Sequence, residues 1–172
     1  MKKFELTSEF VTNIFGKKLF RIKALVEFGD VEAGEFGGYV EKEENLSHDG
    51  DAWVSGNARV SGDARVCGDA WVYGDARVSG DARVYGDAWV SGDARVCGNA
   101  DYAYAHGFGS VNRTTTFFRL KDGGVGVRCG CFYGTLGEFR EKVRETHKDT
   151  KKAREYLMLA DLMELRFTKE EE

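Results

Sequence analysis

Gly50-Asp51-Ala52-Trp53-Val54-Ser55 opens a run of six-residue units that extends to Ala100 and decides the fold of this chain. Glycine recurs every six residues from position 50 to 98, alanine from 52 to 100 and valine from 54 to 96. A strict period of this length is the signature of a repeat architecture. The stretch therefore predicts a solenoid, whatever helices or strands surround it.

The six-residue unit itself predicts short strands separated by corners. Valine is β-branched and favours extended backbone, and successive side chains of a strand point to opposite faces. The Ala and Val of each unit therefore point to the same side, and glycine with the Asp or Asn after it suits a corner. Three units close one triangular coil of 18 residues with an interior of Ala and Val.

The outward positions of the repeat divide into one aromatic face and two arginine faces. Three tryptophans lie 18 residues apart, as one coil requires, with a tyrosine beside them: Trp53, Trp71, Trp89 and Tyr73. Because a soluble monomer rarely exposes an apolar stripe of this kind, we expect a terminal segment or another subunit to cover it. We predict these four residues as a subunit interface.

Arginine occupies the equivalent outward positions on the other two faces of the predicted coil. One face holds Arg59, Arg77 and Arg95, and the other holds Arg65 and Arg83. A guanidinium presents a planar fork to phosphate or carboxylate, so these faces could bind anions. The alternative is a solvated surface in which the corner Asp residues neutralise the arginines, and we favour it.

The consensus V-x-G-D-A-x resembles the hexapeptide repeat of left-handed β-helix acyltransferases and their non-catalytic relatives, over about a third of the chain. The resemblance implies left-handed coils, against the general preference for right-handed crossovers, and trimers packed along the coil faces. The flanks resemble uncharacterised hexapeptide-repeat proteins of bacteria and their phages, which implies no particular activity. That second resemblance rests on residues 19–25, 37–41, 45–47, 107–116 and 129–136.

We predict a mainly β chain in three segments: an N-terminal β cap (1–45), a left-handed hexapeptide-repeat β-helix (46–106) and a small α+β module (107–172). Leu46 falls in the alanine register of the repeat, so we expect the first coil to begin there, beneath the cap. The module reads ββαα. Its strands cover 114–120 and 125–132, and Thr135 with Glu138 forms a capping box at the first helix.

Composition narrows the possible functions. The chain has 172 residues, 25 of them basic and 29 acidic, for a net charge of −4. This balance argues against general nucleic-acid binding, which requires a basic surface. No apolar run is long enough to span a membrane and no signal peptide is visible, so we expect a cytoplasmic protein without membrane contact.

The candidate ligand site is the polar stretch that follows the repeat. Its candidate residues are His106, Ser110, Asn112, Arg113, Thr114, Thr115 and Thr116. Glycines at 107 and 109 allow close backbone approach, and arginine with hydroxyls suits a phosphate. The alternative is a turn followed by an ordinary strand. On a strand, Arg113 and Thr115 would face one side and Thr114 and Thr116 the other.

Cysteine and histidine offer weaker candidates for chemistry. Cys129 and Cys131 could hold a metal together with His106 or His147, but a single C-x-C pair without a second pair is a weak signal. Small residues in a reducing compartment are the alternative that we favour. We assign no catalytic residue, no metal site and no cofactor.

The sequence favours a non-catalytic, oligomeric β-helix protein, with a trimer as the preferred assembly. In this hypothesis the terminal module binds a ligand or partner, for example as a phage anti-defence protein that sequesters a nucleotide-like molecule or blocks a host protein. One alternative is an acyltransferase-like transferase that uses His48 or His106 between subunits. The repeat lacks an internal histidine or insertion for that role. A purely structural scaffold is the other alternative.

Overall fold

The structure is a computed structural model that describes residues 1–169, so the last three residues of the predicted C-terminal module lie outside it. The chain divides into two compact units, which we call the solenoid unit (1–99) and the C-terminal unit (from residue 100). The solenoid unit begins with three antiparallel strands, β1 (Phe4–Thr12), β2 (Lys18–Ala24) and β3 (Phe36–Val40).

Eight two-residue strands follow, one for each six-residue unit. They are β4 (Trp53–Val54), β5 (Arg59–Val60), β6 (Arg65–Val66), β7 (Trp71–Val72), β8 (Arg77–Val78), β9 (Arg83–Val84), β10 (Trp89–Val90) and β11 (Arg95–Val96). Each of the first five pairs in parallel with the strand three units later, so Trp53 pairs with Trp71 and Arg65 with Arg83. The predicted parallel β-solenoid with 18-residue coils is confirmed, and its left-handed winding stays a prediction.

The interior of the solenoid contains the side chains that the repeat places there. Every repeat alanine from 52 to 94 and every repeat valine from 54 to 96 is fully buried. Backbone N–H groups of one coil donate to carbonyls of the next, as from Trp53 to Ala70 and from Trp71 to Ala88. The first coil therefore presents carbonyl groups that no earlier coil can satisfy.

The N-terminal segment caps those carbonyls on all three faces. The Lys3 ammonium donates to the carbonyls of Gly50 and Ala52 at 3.0 and 2.8 Å. The Asn45 side chain, from the 3₁₀ turn Glu43–Asn45, donates to two carbonyls on the second face. On the third face β3 pairs with β5 and donates its own N–H groups. This confirms the predicted N-terminal strands and shows how they end the solenoid.

The start of the coil differs from the prediction in register. Leu46 forms a parallel bridge with Val66, and Val40 pairs with Val60. Leu46 thus takes a valine position rather than the predicted alanine position, and the coil geometry already begins at β3. The spacing is 20 residues here and 18 in later coils. The two extra residues hid the register from a strict period of six.

The C-terminal unit is a four-stranded antiparallel meander followed by two helices. After the 3₁₀ turn Asn99–Asp101 it contains β12 (Tyr102–Phe108), β13 (Arg113–Arg119), β14 (Val125–Cys129), β15 (Phe132–Thr135), α1 (Leu136–His147) and α2 (Lys151–Phe167). The predicted ββαα order missed β12, which spans the predicted boundary at residue 106, and β15. The predicted capping box is present, with Thr135 and Glu138 each accepting the other's backbone N–H.

The two helices pack on one face of this meander. Phe117 and Val127 of the sheet join the buried residues Phe139, Tyr156 and Ala160 of the helices in one core. The Arg140 guanidinium lies 2.8 Å from both Asp161 and Glu164, and so links α1 to α2. The Arg119 guanidinium donates to the carbonyl of Phe167 and fixes the end of α2.

Candidate functional site

A cavity of about 290 Å³ lies in the C-terminal unit, between the ends of β13 and β14 and the two helices. We call it the C-terminal cavity. Its cationic lining residues are Arg113 and Lys142, with the His147 imidazole beside them, and none of the described residues that line it is Asp or Glu. Its volume is near the lower limit for small-molecule sites in proteins, roughly 300 Å³.

Arg113 is the more available of the two cationic residues. It is exposed at the start of β13, and its guanidinium makes no hydrogen bond or ion pair within residues 1–169. The Lys142 ammonium pairs with the exposed Glu145 carboxylate at 2.9 Å. An exposed pair of this kind contributes little, so Lys142 can exchange that partner for a ligand. Arg113 therefore brings a positive charge to the cavity that no described carboxylate pairs with, and the charge of Lys142 is offset only by an exposed carboxylate.

The base of the cavity is a chain of hydrogen-bonding side chains. The Thr115 hydroxyl donates to Cys129 Sγ at 3.2 Å, and Cys129 Sγ lies 3.9 Å from the Tyr156 hydroxyl. Burial raises the pKa of Tyr156 well above its usual value, against the opposing charge of Arg113. The phenol therefore stays protonated at physiological pH and remains a hydrogen-bond donor.

Aromatic side chains form the apolar part of the cavity. Phe139 packs against Phe132 and Tyr156 with ring centroids 5.6 and 5.7 Å apart, and His147 stacks on Tyr156 at 5.7 Å. Gly109 lies so close to the Tyr156 hydroxyl that a Cβ there would collide with it. The turn before β13 is therefore held against the aromatic cluster, next to the cations.

The structure brings only part of the predicted ligand site to this cavity. Ser110 and Arg113 line it, and Thr115 lies beneath it through Cys129. The expected alternation along β13 is present, because the Thr114 hydroxyl instead bonds to His106 Nδ1 at 2.8 Å. Thr114 and His106 belong to the opposite face of the sheet.

Asn112 and Thr116 also lie away from the cavity. Thr116 is buried on that opposite face, and Asn112 occupies the turn with a left-handed φ of +49°. Asn tolerates this conformation better than most residues. Five of the seven predicted ligand residues therefore do not line the cavity. Strand alternation and the turn direct His106, Asn112, Thr114 and Thr116 elsewhere, and Thr115 lies beneath Cys129.

The helices supply the lining residues that sequence reasoning did not assign to a ligand site. Phe139, Val143 and Tyr156 read as core positions, and Thr146 reads as a weak member of the same helical face. The Thr146 hydroxyl on an otherwise apolar helical face was the one feature that could have indicated a ligand site on the helices. The C-x-C pair does reach the cavity, as does His147. No group of three or more His, Cys, Asp or Glu suited to a metal occurs among the described residues.

The tryptophan face is not uniform. Trp53 is fully buried within its own chain, under the rings of Phe4 and Phe28 at 6.5 and 5.3 Å. Its prediction as a subunit contact is therefore wrong, since β1 and the segment between β2 and β3 already cover it. Trp71 is half-buried and stacks on Trp89, which is 41 % exposed, at 6.2 Å.

Tyr73 is half-buried beside these tryptophans, with its ring perpendicular to that of Trp89 at 6.3 Å. The exposed part of the tryptophan face therefore consists of Trp71, Tyr73 and Trp89. The half-exposed Tyr85 directly follows β9, the strand before that of Trp89.

His48, a candidate for acyl transfer, has a structural position. Its Nδ1 accepts from the Lys3 backbone N–H at 3.1 Å, and its Nε2 contacts Glu43 at 2.8 Å. The ring also stacks on Phe4 at 4.4 Å. With both nitrogens engaged, His48 holds the N-terminal strand on the first coil, and its hydrogen bond lowers the pKa of Glu43.

Comparison with known proteins agrees with the repeat. The family model described as YdcK Beta solenoid repeat matches the chain three times, at residues 52–68, 64–80 and 76–92. Together with the fold, these matches define a β-solenoid repeat protein. All three lie within the solenoid unit, and no curated protein matches the chain. No helix within residues 1–169 has the length and apolar character needed to cross a membrane.

Proposed function

We propose that this protein is a non-catalytic, oligomeric binding protein whose C-terminal unit binds a small nucleotide-like anion. The observation that carries the proposal is the C-terminal cavity, where the cationic side chains of Arg113 and Lys142 converge beside His147 and no carboxylate is among the described lining residues. Phosphate binds strongly to arginine through charge-assisted hydrogen bonds. The Ser110 and Thr146 hydroxyls add donors beside them.

The apolar part of the cavity supports a ligand that carries an aromatic ring. The half-buried Phe132 ring offers a surface for edge or offset contact with a base, with the buried rings of Phe139 and Tyr156 packed beside it. A volume of about 290 Å³ suits one mononucleotide better than a dinucleotide. The preferred ligand class is therefore a nucleoside monophosphate or a molecule of similar size and charge.

The solenoid unit would serve as a rigid spacer and assembly axis. The resemblance to trimeric acyltransferase solenoids supports trimers, with Trp71, Tyr73 and Trp89 as contacts. Replacing Trp89 by Glu would place a carboxylate in that contact, and light scattering should then report a smaller species than the wild-type protein. Wild-type protein that is monomeric over the same concentration range would contradict the assembly.

The flanking resemblance to phage proteins supports a biological role in which the ligand is a host signal. The protein would then act against host defence by sequestering a nucleotide-like signal. The related possibility is that the protein binds and inhibits a host protein, which would require no small ligand. The binding experiment separates the two, because only sequestration requires affinity for the free molecule.

The test is calorimetry with matched ligands on the wild-type protein. We expect adenosine 5′-monophosphate to bind and adenosine, which lacks the phosphate, to bind at least about tenfold more weakly, since a charged hydrogen bond contributes about 1.5–3 kcal/mol. Cyclic dinucleotides and acyl-coenzyme A complete the panel. Equal binding of adenosine and its monophosphate, or no binding by any anion in the panel, would contradict the proposal.

A further inference from the structure

Two thiols share the turn at the edge of the C-terminal cavity. The antiparallel register pairs Cys129 with Phe132, so Gly130 and Cys131 form a two-residue loop between β14 and β15. Gly130 has φ +57°, as such tight loops require at one or both positions. Both Cys129 and Cys131 line the cavity, and both are free thiols.

The spacing of these thiols permits a bond between them. Consecutive Cα atoms are about 3.8 Å apart, so residues two apart lie within about 7.6 Å, and a turn brings them closer. Disulfides form at Cα separations of about 4.4–6.8 Å. Cys131 is exposed and Cys129 is half-buried. An external disulfide can therefore react with Cys131, and Cys129 can then attack the resulting mixed disulfide.

The same turn supports the main cationic residue of the cavity. The Arg113 side chain lies directly against Gly130, in the space that a Cβ there would occupy. Cys129 Sγ is also the acceptor for Thr115 and the neighbour of Tyr156. Joining Cys129 to Cys131 draws that sulfur away from both hydroxyls and reshapes the backbone on which Arg113 rests.

We propose that Cys129 and Cys131 form a reversible disulfide that weakens ligand binding at the C-terminal cavity. This inference rests on the function proposed above and adds its regulation. The oxidant is a small-molecule disulfide such as oxidised glutathione. The Cys131 thiolate attacks one glutathione sulfur and releases a glutathione thiolate. The Cys129 thiolate then attacks Cys131 Sγ in the mixed disulfide and releases the second.

The balance of this exchange is complete. The two protein thiols are oxidised by two electrons, one oxidised glutathione is reduced to two glutathione molecules, and the two thiol protons pass to the released thiolates. A disulfide closed over a short turn is strained, and strained disulfides are readily reduced. A thiol reductant therefore restores the open cavity.

The experiment treats the full-length protein with oxidised glutathione, maps its disulfides by peptide mass spectrometry and titrates adenosine 5′-monophosphate by calorimetry. We expect a Cys129–Cys131 disulfide, a loss of affinity of at least about tenfold, and recovery with dithiothreitol. The affinity of Cys131→Ser, whatever its value without oxidant, should be the same before and after treatment with oxidised glutathione. Cys67→Ser, a matched change in the solenoid unit, should respond as the wild type does.

The outcomes separate this inference from the function on which it rests. A glutathione adduct without an internal disulfide would overturn the inference, and so would a mapped disulfide that leaves the affinity unchanged. Failure of the reduced protein to bind the nucleotide would count against the proposed function instead. In that case the disulfide map alone would still decide whether the two thiols form a pair.

Discussion

The solenoid unit and the C-terminal unit use their sequences in opposite ways. In the solenoid, one six-residue unit recurs with Ala and Val always buried, and the outward side chains repeat at equivalent positions from coil to coil. In the C-terminal unit no position repeats, and different side chains from β13, β14, α1 and α2 meet around one cavity. Regularity supplies a stable scaffold, whereas a specific site requires unlike residues at one place.

The largest effect is expected in the solenoid core. Val78 is fully buried among Ala and Val side chains, so Val78→Asp would bury a carboxylate without a partner. We expect a loss of more than about 4 kcal/mol in the free energy of unfolding, or a failure to fold. Arg77→Asp, the exposed neighbour, is the control and should change stability only slightly. Scanning calorimetry showing equal melting for both variants would refute the inward assignment of valine.

The core of the C-terminal unit should respond separately from the solenoid. Phe139→Ala removes a buried ring from the cluster with Phe117, Phe132 and Tyr156, and we expect a loss of about 3–5 kcal/mol. Both helices belong to the C-terminal unit and all three tryptophans to the solenoid unit. Helical circular dichroism and tryptophan fluorescence therefore report on different units.

In urea, Phe139→Ala should move the dichroism transition further than the fluorescence transition. Equal shifts of the two signals would show that the units unfold as one. Phe15→Ala, at an exposed position in the solenoid unit, is the matched control and should leave both transitions in place.

The N-terminal cap should contribute less than either core. Lys3→Ala leaves the carbonyls of Gly50 and Ala52 without the ammonium that now bonds them. An unsatisfied buried acceptor costs about 1–3 kcal/mol, and urea titration should show a loss in that range. Lys2→Ala is the control, since Lys2 makes only an exposed pair with Glu43. A loss as large in the control as in Lys3→Ala would remove the capping role.

Lys3 also makes the stability of the solenoid unit depend on pH. Burial lowers the pKa of Lys3 from 10.5 to about 8, against the raising effect of Asp51, Asp49 and Asp69. Between about pH 8 and 10.5 the unfolded chain binds the proton that the folded chain has released, so stability from this group rises with pH. The stability difference between wild type and Lys3→Ala should be larger at pH 9.5 than at pH 7. The same stability difference at both pH values would contradict a lowered pKa of Lys3.

The sequence predicted the solenoid well because each coil repeats the same local physics. Glycine at the corner and valine inside are decided within one six-residue unit, so Val54 and Val90 follow one rule. The start of the coil could not be read in this way, because two extra residues shift Leu46 and Val40 out of the period. At the start of the coil, the need to bond the carbonyls of the first coil decides where the chain runs, and the six-residue period does not.

The candidate site was only partly predictable for a different reason. Arg113 and Ser110 stood out in a polar stretch where the repeat ends, and both line the cavity. His147 and Tyr156 come from helices that are distant from Arg113 in sequence and meet it only through tertiary packing. Strand β12 was missed as well, since Tyr102 to Phe108 reads as a decaying repeat while it pairs with β13. Long-range packing of this kind leaves no periodic signal.

The most direct measurement compares one arginine from each unit in calorimetric titrations of adenosine 5′-monophosphate. Arg113→Ala should weaken binding by about 10- to 150-fold, the loss of a charged hydrogen bond worth about 1.5–3 kcal/mol. Arg77→Ala, an exposed arginine of the solenoid, should leave the affinity unchanged. Unchanged affinity in Arg113→Ala, or an equal loss in Arg77→Ala, would contradict the assignment of ligand binding to the C-terminal cavity.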